Sequence, residues 1–151
     1  MVLTVKVMSE MELGTFGSIL KFAMELENDA IEFYKSMSPH VSDQKMADFF
    51  NELVIRGEKR IKTLERVRRE NTTEMILEPI TGFDSEEYTL SEEEQSSKSD
   101  EILRKQANEI ETKLESFYTT AAKKIEFLSE AAYAFELLAE KNTETKKNLA
   151  T

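Results

Sequence analysis

The chain has no cysteine and no tryptophan, and among its 151 residues only four are glycine, two proline and one histidine. Each shortage excludes something. Without cysteine there can be no disulfide, no cysteine-ligated zinc, no iron–sulfur cluster and no thiol nucleophile. With glycine and proline so scarce and 33% of residues charged, the composition favours long amphipathic helices. No apolar run approaches the roughly 18 residues a membrane-spanning helix needs. The opening MVLTVKVMSEME has a short apolar patch but neither a charged leading region nor a small-residue cleavage site, so the reading is a cytoplasmic protein. Acids outnumber bases 30 to 20, giving a net charge of −10, which argues against a nucleic-acid surface built on clustered Lys and Arg. The one basic-rich run, Arg56–Arg69, is interleaved with acids and hydrophobics at helical spacing and reads as a solvated helix face.

What is present is a repeat. Glu25–Tyr34, ELENDAIEFY, returns 84 positions later as Glu109–Tyr118, EIETKLESFY, so that Glu27, Phe33 and Tyr34 fall on Glu111, Phe117 and Tyr118. Around the first copy, Ile19, Ala23, Leu26, Ala30, Phe33 and Met37 recur at spacings of three and four, the pattern of a bundle seam. A second row, Leu20, Met24, Glu27, Ile31 and Tyr34, runs beside it with Glu27 as its single charge, so Glu27 should face inward. Thr15 or Ser18 can cap this helix.

The second helix, capped by Ser42 or Asp43, has the seam Met46, Phe50, Leu53, Gly57, Arg60, Leu64 and Val67. Gly57 and Arg60 are odd members: a glycine costs about 1 kcal/mol relative to alanine in a helix interior, and Arg60 carries a permanent charge. Asn71, Thr72, Thr73, Pro79 and Gly82 then interrupt the pattern, and the acidic DSEEYTLSEEEQSSKS is poor in apolar residues. Residues 71–98 read as a long, mobile crossover with a helical turn capped by Ser91 and Glu94. They lack the spaced ligands of a calcium loop. Such a crossover lets the second and third helices lie parallel.

The third helix starts near Ser99 and Asp100 and has the seam Leu103, Ala107, Ile110, Leu114, Phe117 and Ala121, with Glu111 in the neighbouring row. The fourth has Ala131, Phe135, Leu138, Asn142, Thr145 and Leu149. A turn around Lys123–Glu126 separates them, and the tail beyond Thr143 should fray. Phe50 and Leu53 repeat as Phe135 and Leu138 at offset 85, which sets Gly57 on Asn142 and Arg60 on Thr145. The expected fold is all-α: an antiparallel four-helix bundle of two helix hairpins, with residues 1–14 an N-terminal arm and 15–151 a single domain.

These residues resemble the rubrerythrin branch of the ferritin-like superfamily. The likeness rests on Glu27-x-x-Ala30-x-x-Phe33-Tyr34 and Phe50-x-x-Leu53, echoed by Glu111 through Tyr118 and Phe135-x-x-Leu138-Ala139. It covers most of the chain outside residues 1–14 and the crossover. It implies a ferritin-like bundle, a homodimer, and two iron ions held by one Glu and one Glu-x-x-His from each half for oxygen or peroxide chemistry. The ligand pattern is largely lost here. The Glu-x-x-His positions hold Gly57-x-x-Arg60 and Asn142-x-x-Thr145, and the extra third-helix glutamate falls on Leu114. Sliding the register does not restore the pattern, because Glu58 then pairs with Ile61 and Glu136 with Ala139. His40, the only histidine, lies in the turn after the first helix. The Cys-x-x-Cys pairs of a rubredoxin module are absent.

Taken singly, Glu27 and Glu111 would be surface glutamates of charge-rich helices; the doubled motif moves them inward. Two buried carboxylates are costly unless paired. The sequence offers Arg60, whose planar fork can bridge both in the former metal position, with Gly57 making room. Asn142 and Thr145 are available for the remaining lone pairs, and Tyr34 and Tyr118 can donate their hydroxyls to neighbouring carboxylates. The expected centre is therefore a polar cluster of Glu27, Tyr34, Arg60, Glu111, Tyr118, Asn142 and Thr145 in a non-catalytic structural or interaction module without a cofactor. The competing reading is an iron-binding oxidoreductase in which Glu27 and Glu111, helped by Glu52, Glu144 or a partner chain, keep a reduced metal site.

Overall fold

The computed structural model describes residues 12–71, 79–91 and 94–150. Four helices carry the fold: α1 (Phe16–Met37), α2 (Gln44–Glu70), α3 (Asp100–Lys124) and α4 (Ser129–Ala150). Each of the first three begins where a side chain can accept an orphan backbone N–H. Thr15 caps α1 in a capping box closed by Ser18, with both bonds at 3.0 Å. Asp43, and not Ser42, caps α2 by accepting from the Met46 N–H at 2.9 Å. Ser99 caps α3. The break between α3 and α4 falls at 125–128, later than the expected Lys123–Glu126 because α3 continues through Lys124, and the seam positions read from periodicity are buried except Met24, which is half-buried. The fourth helix does not fray beyond Thr143. It continues to Ala150, because Thr145 and Leu149 still bury their side chains against the bundle.

Helices α1 and α2 form one hairpin, α3 and α4 the other. The direction of α3 against α1 follows from two bonds. Tyr34 reaches Glu111 while Tyr118 reaches Glu27, so advancing along α1 means retreating along α3. Since α1 opposes both α2 and α3, those two run parallel. The Asp100 carboxylate, at the start of α3, accepts from the Ser42 and Asp43 N–H groups at 2.7 and 2.9 Å, tying the two parallel N-termini together. The result is a four-helix bundle. Helices α2 and α4, by contrast, barely touch.

The described part of the crossover is not a mobile linker. Ile80, Phe83, Tyr88 and Leu90 are buried in the main core. Phe83 stacks on Phe117 with centroids 5.5 Å apart, and Tyr88 meets both rings edge-on. Four apolar anchors among acids lack periodicity, yet each fills a gap on the bundle side. Gly82, at φ 70, adopts the left-handed conformation that turns the chain between two of them. On either side of that turn, Ile80 N–H donates to Gly14 and Leu13 N–H to Phe83, and Glu12 bridges to Asp84. The end of the expected arm is therefore stitched to the crossover; its residues 1–11 lie outside those described. A 3-10 turn forms at Ser85–Tyr88; the turn expected from Ser91 and Glu94 spans residues 92–93, which lie outside the described residues. No described helix is long and apolar enough to cross a membrane.

If Asp100 locks the parallel pair, Asp100→Ala loses two charge-assisted bonds and lowers stability by about 1–2 kcal/mol. Urea denaturation checks this, and an unchanged midpoint would place the lock elsewhere.

Candidate functional site

Seven polar side chains occupy the middle of the bundle. Glu27, Glu111, Asn142 and Thr145 have 0% exposure, and Arg60 has 4%. Tyr34 and Tyr118 are equally buried. The helices place them by register alone: Glu27 and Tyr34 share the inward row of α1, Glu111 and Tyr118 the matching row of α3. The tyrosines bond crosswise. Tyr34 Oη donates to Glu111 Oε2 at 2.6 Å, and Tyr118 Oη donates to Glu27 Oε2 at 2.5 Å. Each glutamate turns its other oxygen to Arg60. Nη1 lies 3.6 Å from Glu27 Oε1, and Nη2 lies 3.6 Å from Glu111 Oε1. The guanidinium thus sits between the carboxylates, in ion-pair contact with both and beyond hydrogen-bond length from either.

The pseudo-twofold breaks at two places, Arg60 against Thr145 and Gly57 against Asn142. Asn142 Nδ2 donates to Glu111 Oε1 at 2.8 Å. Its repeat-mate is Gly57, and a Cβ placed there would lie 3.8 Å from Glu27 Oε1. Glycine has nothing to donate, and Glu27 Oε1 has no hydrogen-bond partner. The room made by Gly57 is also not for the guanidinium. A Cβ would fall 2.7 Å from Ile31 Cγ1, so the glycine admits Ile31 from α1. Nor does Thr145 serve the glutamates. It accepts from Arg56 Nη1 at 3.2 Å and donates to the Lys141 carbonyl at 3.0 Å.

The electrostatics follow from the count. One cation faces two carboxylates, so ionising both would leave an uncompensated buried charge. Burial, against the opposing pull of Arg60 and the Tyr118 hydroxyl, raises Glu27 from 4.5 to about 7. Burial also pushes both tyrosine hydroxyls well above their ordinary value, with Glu111 adding to the effect on Tyr34 and Glu27 to that on Tyr118. They therefore remain donors. For Arg60, the two carboxylates outweigh burial and hold the guanidinium firmly charged.

The other candidates lie apart. Glu52 is on the surface, bonded to Arg56 at 2.6 Å; Glu144 is exposed, and His40 sits exposed in the turn after α1. Among the described residues, no group of three or more His, Cys, Asp or Glu side chains converges. The donors present do not fit a pair of iron ions: Glu27 Oε1 and Glu111 Oε1 both face a permanent cation, Glu111 Oε1 also accepts from the Asn142 amide, and no imidazole is within the cluster. Sequence reasoning missed Arg56, which is braced by Glu52, stacked 5.3 Å from the Phe49 ring and bonded across to α4. Its position one turn before Arg60 was the available signal. It also missed the α3–α4 link in which Glu115 accepts from Lys146 at 2.6 Å and from Thr143. Burial pushes the Glu115 carboxyl up, but these two bonds hold it below its ordinary value.

No family model matches the chain, and no curated protein matches it.

Two outcomes follow. Arg60→Leu strands two buried carboxylates and should cost about 3–5 kcal/mol in chemical denaturation; a negligible loss would show that the pairs contribute nothing. For Glu27, the folded state holds a proton that the unfolded chain releases between pH 4.5 and about 7. Its contribution to stability is complete below pH 4.5 and is lost as pH rises through about 7. Glu27→Gln keeps an acceptor for Tyr118 and removes the titration. The variant should gain roughly 3 kcal/mol over the native protein at pH 8 and little at pH 5, read from parallel urea curves.

Proposed function

We propose that this chain is a degenerate member of the rubrerythrin-like branch of the ferritin-like superfamily, non-catalytic, cytoplasmic, and kept as a structural or interaction module. On this reading the Arg60–Glu27–Glu111 cluster stands where its relatives hold two metal ions. The observation that carries it is the guanidinium 3.6 Å from each carboxylate, at the level where the two halves of the repeat meet. A fixed cation there supplies the charge that metal would supply, without ligand exchange or redox chemistry. The doubled Glu-to-Tyr motif, the crossed tyrosine bonds and the parallel α2–α3 pair support the relationship.

A homodimer is part of the same proposal. Tyr133 and Leu137 project from one side of α4, one turn apart, with 60% and 37% of their surface exposed. Large apolar side chains in that arrangement suit a helix-to-helix contact between two copies.

Elemental analysis of protein refolded with Fe²⁺, Mn²⁺ or Zn²⁺ tests the reading, alongside mass in solution. The expected result is substoichiometric metal, no metal-dependent peroxide consumption, and twice the 17.4 kDa chain mass. Stoichiometric metal that disappears in Glu27→Ala would overturn it in favour of an iron-binding oxidoreductase with a reduced ligand set.

A further inference from the structure

The gap between α2 and α4 opens a groove of about 310 Å³ whose floor includes Arg60. Its charge contradicts the rest of the molecule. The chain carries 30 acids and 20 bases, yet the groove is lined by Arg56, Lys59, Arg60 and Lys141 against one acid, Glu144. We propose that this groove is a binding site for a small tetrahedral oxyanion, inorganic phosphate or the phosphoryl group of a small ester.

The chemistry is one of charge. Thr63 and Thr145 line the groove, but their hydroxyls donate to the Lys59 and Lys141 carbonyls of their own helices. A neutral polar ligand would therefore find few donors. The cations divide into a braced pair and an exposed pair. Arg56 is held by Glu52 and Thr145, and Arg60 by the two buried glutamates, so the guanidinium floor is fixed in advance. Lys59 on α2 and Lys141 on α4 have no ion pair among the described residues, and they stand on opposite walls. Two ammonium groups without an ion pair among the described residues, facing across a preorganised cationic floor, can close on an anion from both sides. The volume lies at the lower end of small-ligand sites, which run from about 300 to 1,000 Å³. That suits one phosphoryl group, with Leu138 as the only apolar wall for an organic remainder.

Titrations of the full chain with sulfate, inorganic phosphate and glycerol phosphate, at ionic strength matched with chloride and followed by NMR shifts, test the proposal. Saturable binding is expected. Lys59→Ala with Lys141→Ala should weaken it roughly tenfold or more, Glu144→Gln should tighten it, and Lys21→Ala with Lys105→Ala, equal in charge but distant, should leave it unchanged. Tighter binding of the ester assigns the site to a phosphorylated small molecule, and equal binding assigns it to the free oxyanion. Absence of saturation above chloride, or equal loss in the distant lysine pair, overturns the site.

Discussion

Two carboxylates and one guanidinium, shut away from solvent at the centre of the bundle, set the terms on which these four helices can pack. Removing Arg60 strands two carboxylates where water cannot reach them, and the cost of that imbalance exceeds what a single surface contact can repair. The geometry around them is accordingly shared among all four helices. Glutamates come from α1 and α3, the guanidinium from α2, and the amide that completes Glu111 from α4. A slip of one residue in any helix would break the set, so the cluster specifies register as well as charge.

The tyrosines add the second constraint. Each spans the α1–α3 interface to the glutamate of the other helix, and the two bonds together admit only an antiparallel arrangement at one offset. Where the two halves of the repeat differ, the physical consequence is local. Asn142 supplies a donor to Glu111 and Gly57 supplies none to Glu27, and burial raises the Glu27 carboxyl pKa to about 7.

Arg60 faces two ways. Toward the core it balances the glutamates; toward α4 it forms the floor of a cationic groove that persists because α2 and α4 stay apart. The basic face of α2 is not uniformly solvated for that reason: its members at Arg56, Lys59 and Arg60 line a concave surface, while Arg66 pairs with Glu70 on the exposed side.

The linear sequence determined a good deal. Spacings of three and four marked the seams, capping residues marked where helices begin, and one charged residue in an otherwise apolar row placed Glu27 indoors. The repeat, at offsets of 84 and 85, sets Glu27, Arg60, Glu111, Asn142 and Thr145 at one level. Those features are legible because they obey a helical period and depend only on near neighbours along the chain. Tertiary structure decided the rest. Which tyrosine serves which glutamate, the turning of Thr145 toward Arg56, the use of Gly57 by Ile31, and the burial of Ile80, Phe83, Tyr88 and Leu90 all depend on partners dozens of residues away. No local pattern encodes such distances. In the crossover, apolar side chains without periodicity were hidden among acids, and only the finished bundle offered the gaps that make them core.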